Sequence, residues 1–237
     1  MKTNQEASPR FHRSALSDDV YDYLRKEIIE GRLEPGARVV EEKLATDLGM
    51  SRAPLREAIL HLRRDGLVSG TGRDTRIIEL SPTDIRELHL MRATLETLAY
   101  QSAARYLTDK DIAGLRDLIE SMRAVDAGQA GKMKELDYEF HQRLCRLSGI
   151  QRLYDAWRDQ KVLFGMWLTV AGNAREDAEY LAEQHARLLD VVIAGDPRDI
   201  ANEVTHHIYE VGSALAAERE LWDEDRSLLL GELPPRT

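Results

Sequence analysis

The chain has 237 residues, 43% of them hydrophobic and 32% charged, with a net charge of −9 and a single cysteine. That length accommodates one large domain or two modest ones, and the composition excludes fibrous and disordered classes. Cys145 alone excludes an internal disulfide framework and a cysteine-based zinc cluster, and the longest apolar run, Val162 to Gly172, falls short of the ~18 residues of a membrane span.

Residues 1–17 are polar and aperiodic and read as a flexible tail. From Asp18 the apolar residues Val20, Leu24 and Ile28 recur at helical spacing until Gly31, and Leu33-Glu34-Pro35-Gly36 reads as a turn. A second helix is expected over about Glu41–Leu48, stopped by Gly49, and a third from Ser51 to just before Gly66. Leu67–Ser69 and Arg76–Ile78 are short β-type runs around Gly70-Thr71-Gly72-Arg73-Asp74, a hairpin pattern. Ser81-Pro82-Thr83-Asp84 reads as a linker that also caps the next helix. Every later segment has helical periodicity, with breaks near Thr108-Asp109, Ala127–Gly131, Ser148-Gly149, Ala171–Asn173 and Gly195-Asp196-Pro197. The predicted fold class is mainly α: an N-terminal winged helix-turn-helix over 18–80, an all-α helical bundle over 81–225, and a C-terminal tail over 226–237.

Charge is unevenly spread. Residues 1–80 hold equal numbers of acidic and basic groups, so residues 81–237 account for the whole negative balance. Between Arg52 and Arg76 six arginines face only Glu57, Asp65 and Asp74, a local excess of three positive charges. An acidic bulk with one basic patch confines any nucleic-acid contact to one surface. Charge alone fits a solvated arginine-rich helix face equally well, so the spacing has to decide. Ala45 sits where two helices cross closely, and Gly49 can take positive φ in the turn. Leu55 and Ala58 face inward, which leaves Ser51, Arg52 and Arg56 at the exposed start of the third helix. Arg52 and Arg56 are one turn apart, and an arginine can pair bidentately with guanine O6 and N7. Arg73 at the hairpin tip is placed for phosphate or minor-groove contact.

These residues resemble the winged-helix domain of GntR-type transcription regulators. The resemblance rests on Val20-Tyr21-Asp22-Tyr23-Leu24-Arg25, Glu42-Lys43-Leu44-Ala45, Ser51-Arg52-Ala53-Pro54-Leu55-Arg56-Glu57-Ala58 and Asp65-Gly66-Leu67-Val68. It implies that Arg52 and Arg56 contact operator DNA. The wing departs from the common Arg-Arg-Gly type.

In the bundle, Asp137 and His141 are four apart on one helix face, and His185 lies on an inward stripe with Leu181 and Leu188. In the last long helix His207 falls within the apolar arc of Val204, Ile208, Val211 and Leu215, whereas His206 falls outside it. A carboxylate and three imidazoles that converge can hold a divalent transition metal. Spacing alone leaves the alternative open, since each histidine can be a hydrogen-bonded core residue and Asp137–His141 an ion pair. Trp157, Phe164, Met166 and Trp167 read as core or dimer packing, and Tyr138 as a residue able to line a pocket. Cys145 reads as a buried small hydrophobe.

Leu90-Met91-Arg92-Ala93-Thr94-Leu95-Glu96, Leu136 to Leu144, Glu183-Gln184-His185, Gly195-Asp196 and His207-Ile208 resemble the FCD-type C-terminal domain of the FadR subfamily. That resemblance implies Asp137, His141, His185 and His207 as ligands of a divalent metal (zinc first, nickel or manganese next). It implies Arg92 as the group that grips an effector carboxylate. The expectation is a cytoplasmic, homodimeric repressor released from a palindromic operator by a small organic acid, without enzymatic activity or membrane contact. The alternative is a metal-dependent enzyme that uses the Asp/His cluster to activate water.

Overall fold

A computed structural model describes the backbone of residues 14–126, 128–170 and 177–212. The expected break at Ala171–Asn173, the Trp167 side chain, Leu215 and the expected tail over 226–237 lie outside the described residues, as do residues 1–13 of the tail expected over 1–17. The chain divides into two compact units, 1–79 and 80–237.

In the first unit the chain forms α1 (Ser14–Ile29), α2 (Glu41–Asp47) and α3 (Arg52–Arg64), then a two-stranded antiparallel ribbon of β1 (Val68–Ser69) and β2 (Arg76–Ile77). The first helix starts at Ser14, four residues before Asp18, and Ser17 is already buried in it. Val20, Leu24 and Ile28 form the inward stripe of α1, as their spacing predicts, and each is at most 4% exposed. Burying each such side chain contributes roughly 1.5–3 kcal/mol. They pack with Leu55, Ala58, Ile59 and Leu62 of α3, and Ala45 of α2 is 4% exposed. Gly49 has φ +64° in the turn between α2 and α3, the conformation expected of it. Tyr21 donates its hydroxyl hydrogen to the Asp65 carboxylate at the end of α3.

The hairpin tip is tighter than a plain loop, because Gly72–Asp74 makes one 3-10 turn. Gly70 has φ +71°, and a Cβ there would lie 2.2 Å from the Asp74 carbonyl oxygen, so the tip requires glycine. A pairing unseen in the sequence flanks β2 on its other side. The Ile77 N–H donates to the Ala37 carbonyl (2.9 Å) and the Val39 N–H to that of Thr75 (2.8 Å), which ties the segment before α2 to the wing.

The second unit comprises α4 (Pro82–Ala103), α5 (Asp109–Arg123), α6 (Ala130–Leu147), α7 (Gln151–Asp159), α8 (Lys161–Val170), α9 (Ala178–Ala194) and α10 (Pro197–Gly212). Ser81 and Asp84 cap α4 reciprocally: the Asp84 N–H donates to Ser81 Oγ, and the Ser81 N–H to Asp84 Oδ2. Thr108 and Asp111 repeat the device on α5. Helices α4, α6, α9 and α10 surround a core that includes Tyr100, Phe140, Leu144, Leu188 and Val204. Cys145 is fully buried there, and burial drives its thiol pKa well above the ordinary value.

His89 of α4 is fully buried, with Nδ1–H donating to the Ile85 carbonyl (2.8 Å) and its ring edge-on to Phe164. Burial, reinforced by the Arg92 charge against that hydrogen bond, lowers its pKa to about 4. The unfolded chain binds this proton near 6.5, so the unfolded state gains protons first as pH falls. Between pH 6.5 and 4 this group removes roughly 3 kcal/mol of stability. His89→Leu is therefore expected to lose less stability than the parent on acidification. Urea unfolding of both proteins at neutral pH and near pH 4.5 measures the difference, and equal losses would refute the assignment.

Candidate functional site

The exposed start of α3 presents Ser51, Arg52 and Arg56 to solvent, and Arg73 is exposed at the hairpin tip. Leu55 and Ala58 are fully buried beneath that surface, which fixes the direction of both arginines. Both guanidinium groups reach one carboxylate on α2. Glu41 Oε2 lies 3.2 Å from Arg56 Nη2 and 3.6 Å from Arg52 Nη2. The sequence reading did not single out Glu41, because nothing in its own segment reveals a partner fifteen residues away.

In the second unit the three histidines converge. His141 on α6, His185 on α9 and His207 on α10 are buried, and each offers a ring nitrogen within 4.8 Å of the others. His141 Nε2 and His207 Nε2 are 3.2 Å apart. Asp137, one turn before His141, places Oδ1 3.2 Å from His185 Nε2 and 3.7 Å from His141 Nε2. His206 is half-buried, outside the cluster.

The outer nitrogens decide which atoms face inward. His185 Nδ1–H donates to the Leu181 carbonyl (2.7 Å), and His141 Nδ1–H to Glu96 Oε2 (2.9 Å). Both Nε2 atoms thus point to the centre, where that of His185 faces the Asp137 carboxylate. Phe140 stands edge-on to His141 and His185 and limits their rotation. Burial drives the His207 pKa well below the ordinary value, helped by the charges of His185 and His141, and burial also lowers that of His141. Burial alone would raise the Asp137 carboxyl, but the His185 hydrogen bond and the charges of His141, His185 and Arg92 outweigh it and hold it below the usual range. The cluster so assembled turns imidazole nitrogens and a carboxylate to one centre, a donor set that suits a divalent cation. The 3.2 Å between His141 Nε2 and His207 Nε2 fits one, since two imidazole–metal bonds of about 2.1 Å at angles from about 90° to the tetrahedral value leave their nitrogens roughly 3.0–3.4 Å apart.

A pocket adjoins the cluster. Arg92, Asp137, Tyr138, Trp157, Lys161 and Phe164 are among its walls. The Arg92 guanidinium lies 3.9 Å over the Phe164 ring, Tyr138 stacks on Trp157 at 5.1 Å, and Lys161 Nζ sits 3.8 Å from the Tyr138 ring centre. Trp157 and Phe164, expected only as packing residues, are pocket walls as well.

Glu96 is the residue the spacing did not flag. It is fully buried on α4, one turn after Arg92, and gathers four donors. Arg92 Nε (2.5 Å) and Trp157 Nε1 (2.8 Å) donate to Oε1, while Tyr100 OH (2.8 Å) and His141 donate to Oε2. Burial alone would raise its pKa, but Arg92, His141 and these hydrogen bonds hold it well below the ordinary value. One carboxylate therefore joins the pocket arginine to a cluster histidine. An apolar-periodic helix that nonetheless places a glutamate one turn after an arginine was the available signal.

Comparison with known proteins identifies two family matches, two relatives and a similar solved structure. Residues 16–74 match the family described as bacterial regulatory proteins, gntR family, and residues 87–210 match the FCD domain. The chain is 31% identical over 205 residues to a "probable D-xylose utilization operon transcriptional repressor" of Paenarthrobacter nicotinovorans, covering 85% of this chain and 89% of that protein. It is 36% identical over 139 residues to the Nta operon transcriptional regulator of Aminobacter aminovorans, covering 56% and 65%. Among solved structures, Escherichia coli McbR/YncC superposes with a TM-score of 0.68 at 25% identity, over 86% of this chain and 98% of that one.

Proposed function

From the premise that the chain belongs to the gntR family of bacterial regulatory proteins, with an FCD domain behind its helix-turn-helix, we propose a cytoplasmic, homodimeric repressor that a metal-bound organic acid releases from a palindromic operator. That the chain is a transcriptional regulator follows from its family; the metal, the acid and the dimer are the proposal. Ser51, Arg52 and Arg56 read base edges, and Arg73 contacts the backbone or minor groove. Two such heads are needed because one small module with few phosphate contacts binds weakly.

Asp137, His141, His185 and His207 would hold a divalent transition metal, zinc first by its mixed oxygen and imidazole set, with nickel or manganese also matched. When bound, the ion supplies open positions for one carboxylate of the effector. Arg92 grips a second oxygen with a planar fork suited to carboxylates, and Tyr138 borders the body of the acid. Binding then biases the bundle between two arrangements and changes how the two heads meet the DNA. The observation that carries this reading is the adjacency of the four-residue cluster to a pocket walled by Arg92. That the relatives are transcriptional regulators supports this reading over the enzyme one.

A band-shift titration of the protein on its own upstream DNA, with a panel of small mono- and dicarboxylates, tests the proposal. At least one acid is expected to release the wild-type protein, and Arg92→Ala is expected to need at least about tenfold more of it. No release by any acid, or equal sensitivity of the variant, would refute the effector assignment.

A further inference from the structure

We propose that Glu41 is the positioning residue that sets the DNA specificity of this protein, by holding Arg52 and Arg56 on one carboxylate and competing with phosphate for them. The inference rests on the reading of those arginines as base contacts. Glu41 Oε2 lies 3.3 Å from Arg56 Nε and 3.2 Å from its Nη2, so the carboxylate takes one edge of the Arg56 fork. The same oxygen is 3.6 Å from Arg52 Nη2. The Glu41 side chain is only 17% exposed, whereas those of Arg52 and Arg56 are 57% and 62% exposed. A nearly buried anchor thus directs two outward cations.

Three physical consequences follow. Two guanidinium groups one turn apart repel each other, and a shared anion offsets that repulsion and narrows their range of orientations. Phosphate offers an arginine much the same charge partner that Glu41 already provides, so casual backbone contact gains little. A guanine edge instead accepts two directed hydrogen bonds from the donors Glu41 leaves outward, so correct sequence gains more. Glu41 also places a negative charge near the duplex in each subunit, which weakens binding to every sequence.

The test uses the full-length protein, a short duplex it selects from a random pool, and a scrambled duplex of equal composition, each titrated across a salt series. Glu41→Gln removes the charge and keeps the shape. It is expected to tighten binding to the scrambled duplex roughly three- to tenfold at low salt and to steepen the log–log salt dependence by about 0.9 per added phosphate contact. Affinity for the selected duplex should change far less, so discrimination falls. Glu41→Asp keeps the charge but shortens the reach, and is expected to lower discrimination without steepening the salt slope. Unchanged discrimination and slope in Glu41→Gln would overturn the proposal, as would parallel weakening on both duplexes with a lowered melting temperature. Arg52→Ala separates the two levels. If it retains wild-type affinity for the selected duplex, the base-contact reading fails too, whereas its loss alongside an inert Glu41→Gln overturns only the role of Glu41.

Discussion

Arg52→Ala and Arg56→Ala are each expected to weaken operator binding by between about thirtyfold and ten-thousandfold, while the fold stays intact. A bidentate contact to guanine is worth roughly 1–3 kcal/mol, and a dimer on a palindrome loses it twice, which gives about 2–6 kcal/mol at 1.4 kcal/mol per factor of ten. Stability should change little, because both side chains are more than half exposed and their ion pairs with Glu41 are of the solvent-screened kind. Arg73→Ala should cost less and act evenly across sequences, as a backbone contact does. Fluorescence anisotropy with operator and scrambled duplexes, beside a thermal melt, checks all three. Operator affinity within about threefold of wild type would remove that arginine from the interface.

The second large effect is expected at the histidine cluster. The purified wild-type protein should carry about one divalent ion per chain, and His207→Ala only traces, because the remaining three donors no longer close around it. Metal bound at a thousand times its dissociation constant stabilises the folded state by about 4 kcal/mol. A chelator should therefore lower the wild-type melting temperature by several degrees and leave that of His207→Ala unmoved. Elemental analysis and melts with and without chelator give both readouts. Equal chelator sensitivity in the two proteins would show that the ion sits elsewhere.

The helices were legible because their apolar residues recur at fixed spacing: Val20, Leu24 and Ile28 predict the buried face of α1, and Val204 and Ile208 predict that of α10, with His207 inside the arc. The wing strands were legible from short β-type runs between glycines, but the segment 37–39 paired along β2 was not, since its partner lies some forty residues away. The break between α7 and α8 at Gln160 was also invisible, because no glycine or proline marks it. At the site, inward spacing identified each histidine singly, whereas their convergence depends on how three helices, α6, α9 and α10, pack. Glu96 was hidden for a related reason. A buried carboxylate is tolerable only when donors surround it, and two of its four donors, Trp157 and His141, come from other helices whose meeting no local pattern encodes.

The node at Glu96 has a consequence for anyone who would retune this molecule as a biosensor. Arg92, Tyr100, His141 and Trp157 all lean on one carboxylate, so a change at any of them disturbs the others. Leu88, Tyr138 and Phe164 border the same pocket without being donors to that carboxylate, although Phe164 packs against Arg92 and Tyr138 against Trp157. A library that diversifies those three and freezes the hub would vary the pocket wall while the buried charges stay paired, with Leu88 and Phe164 restricted to apolar residues because both are core.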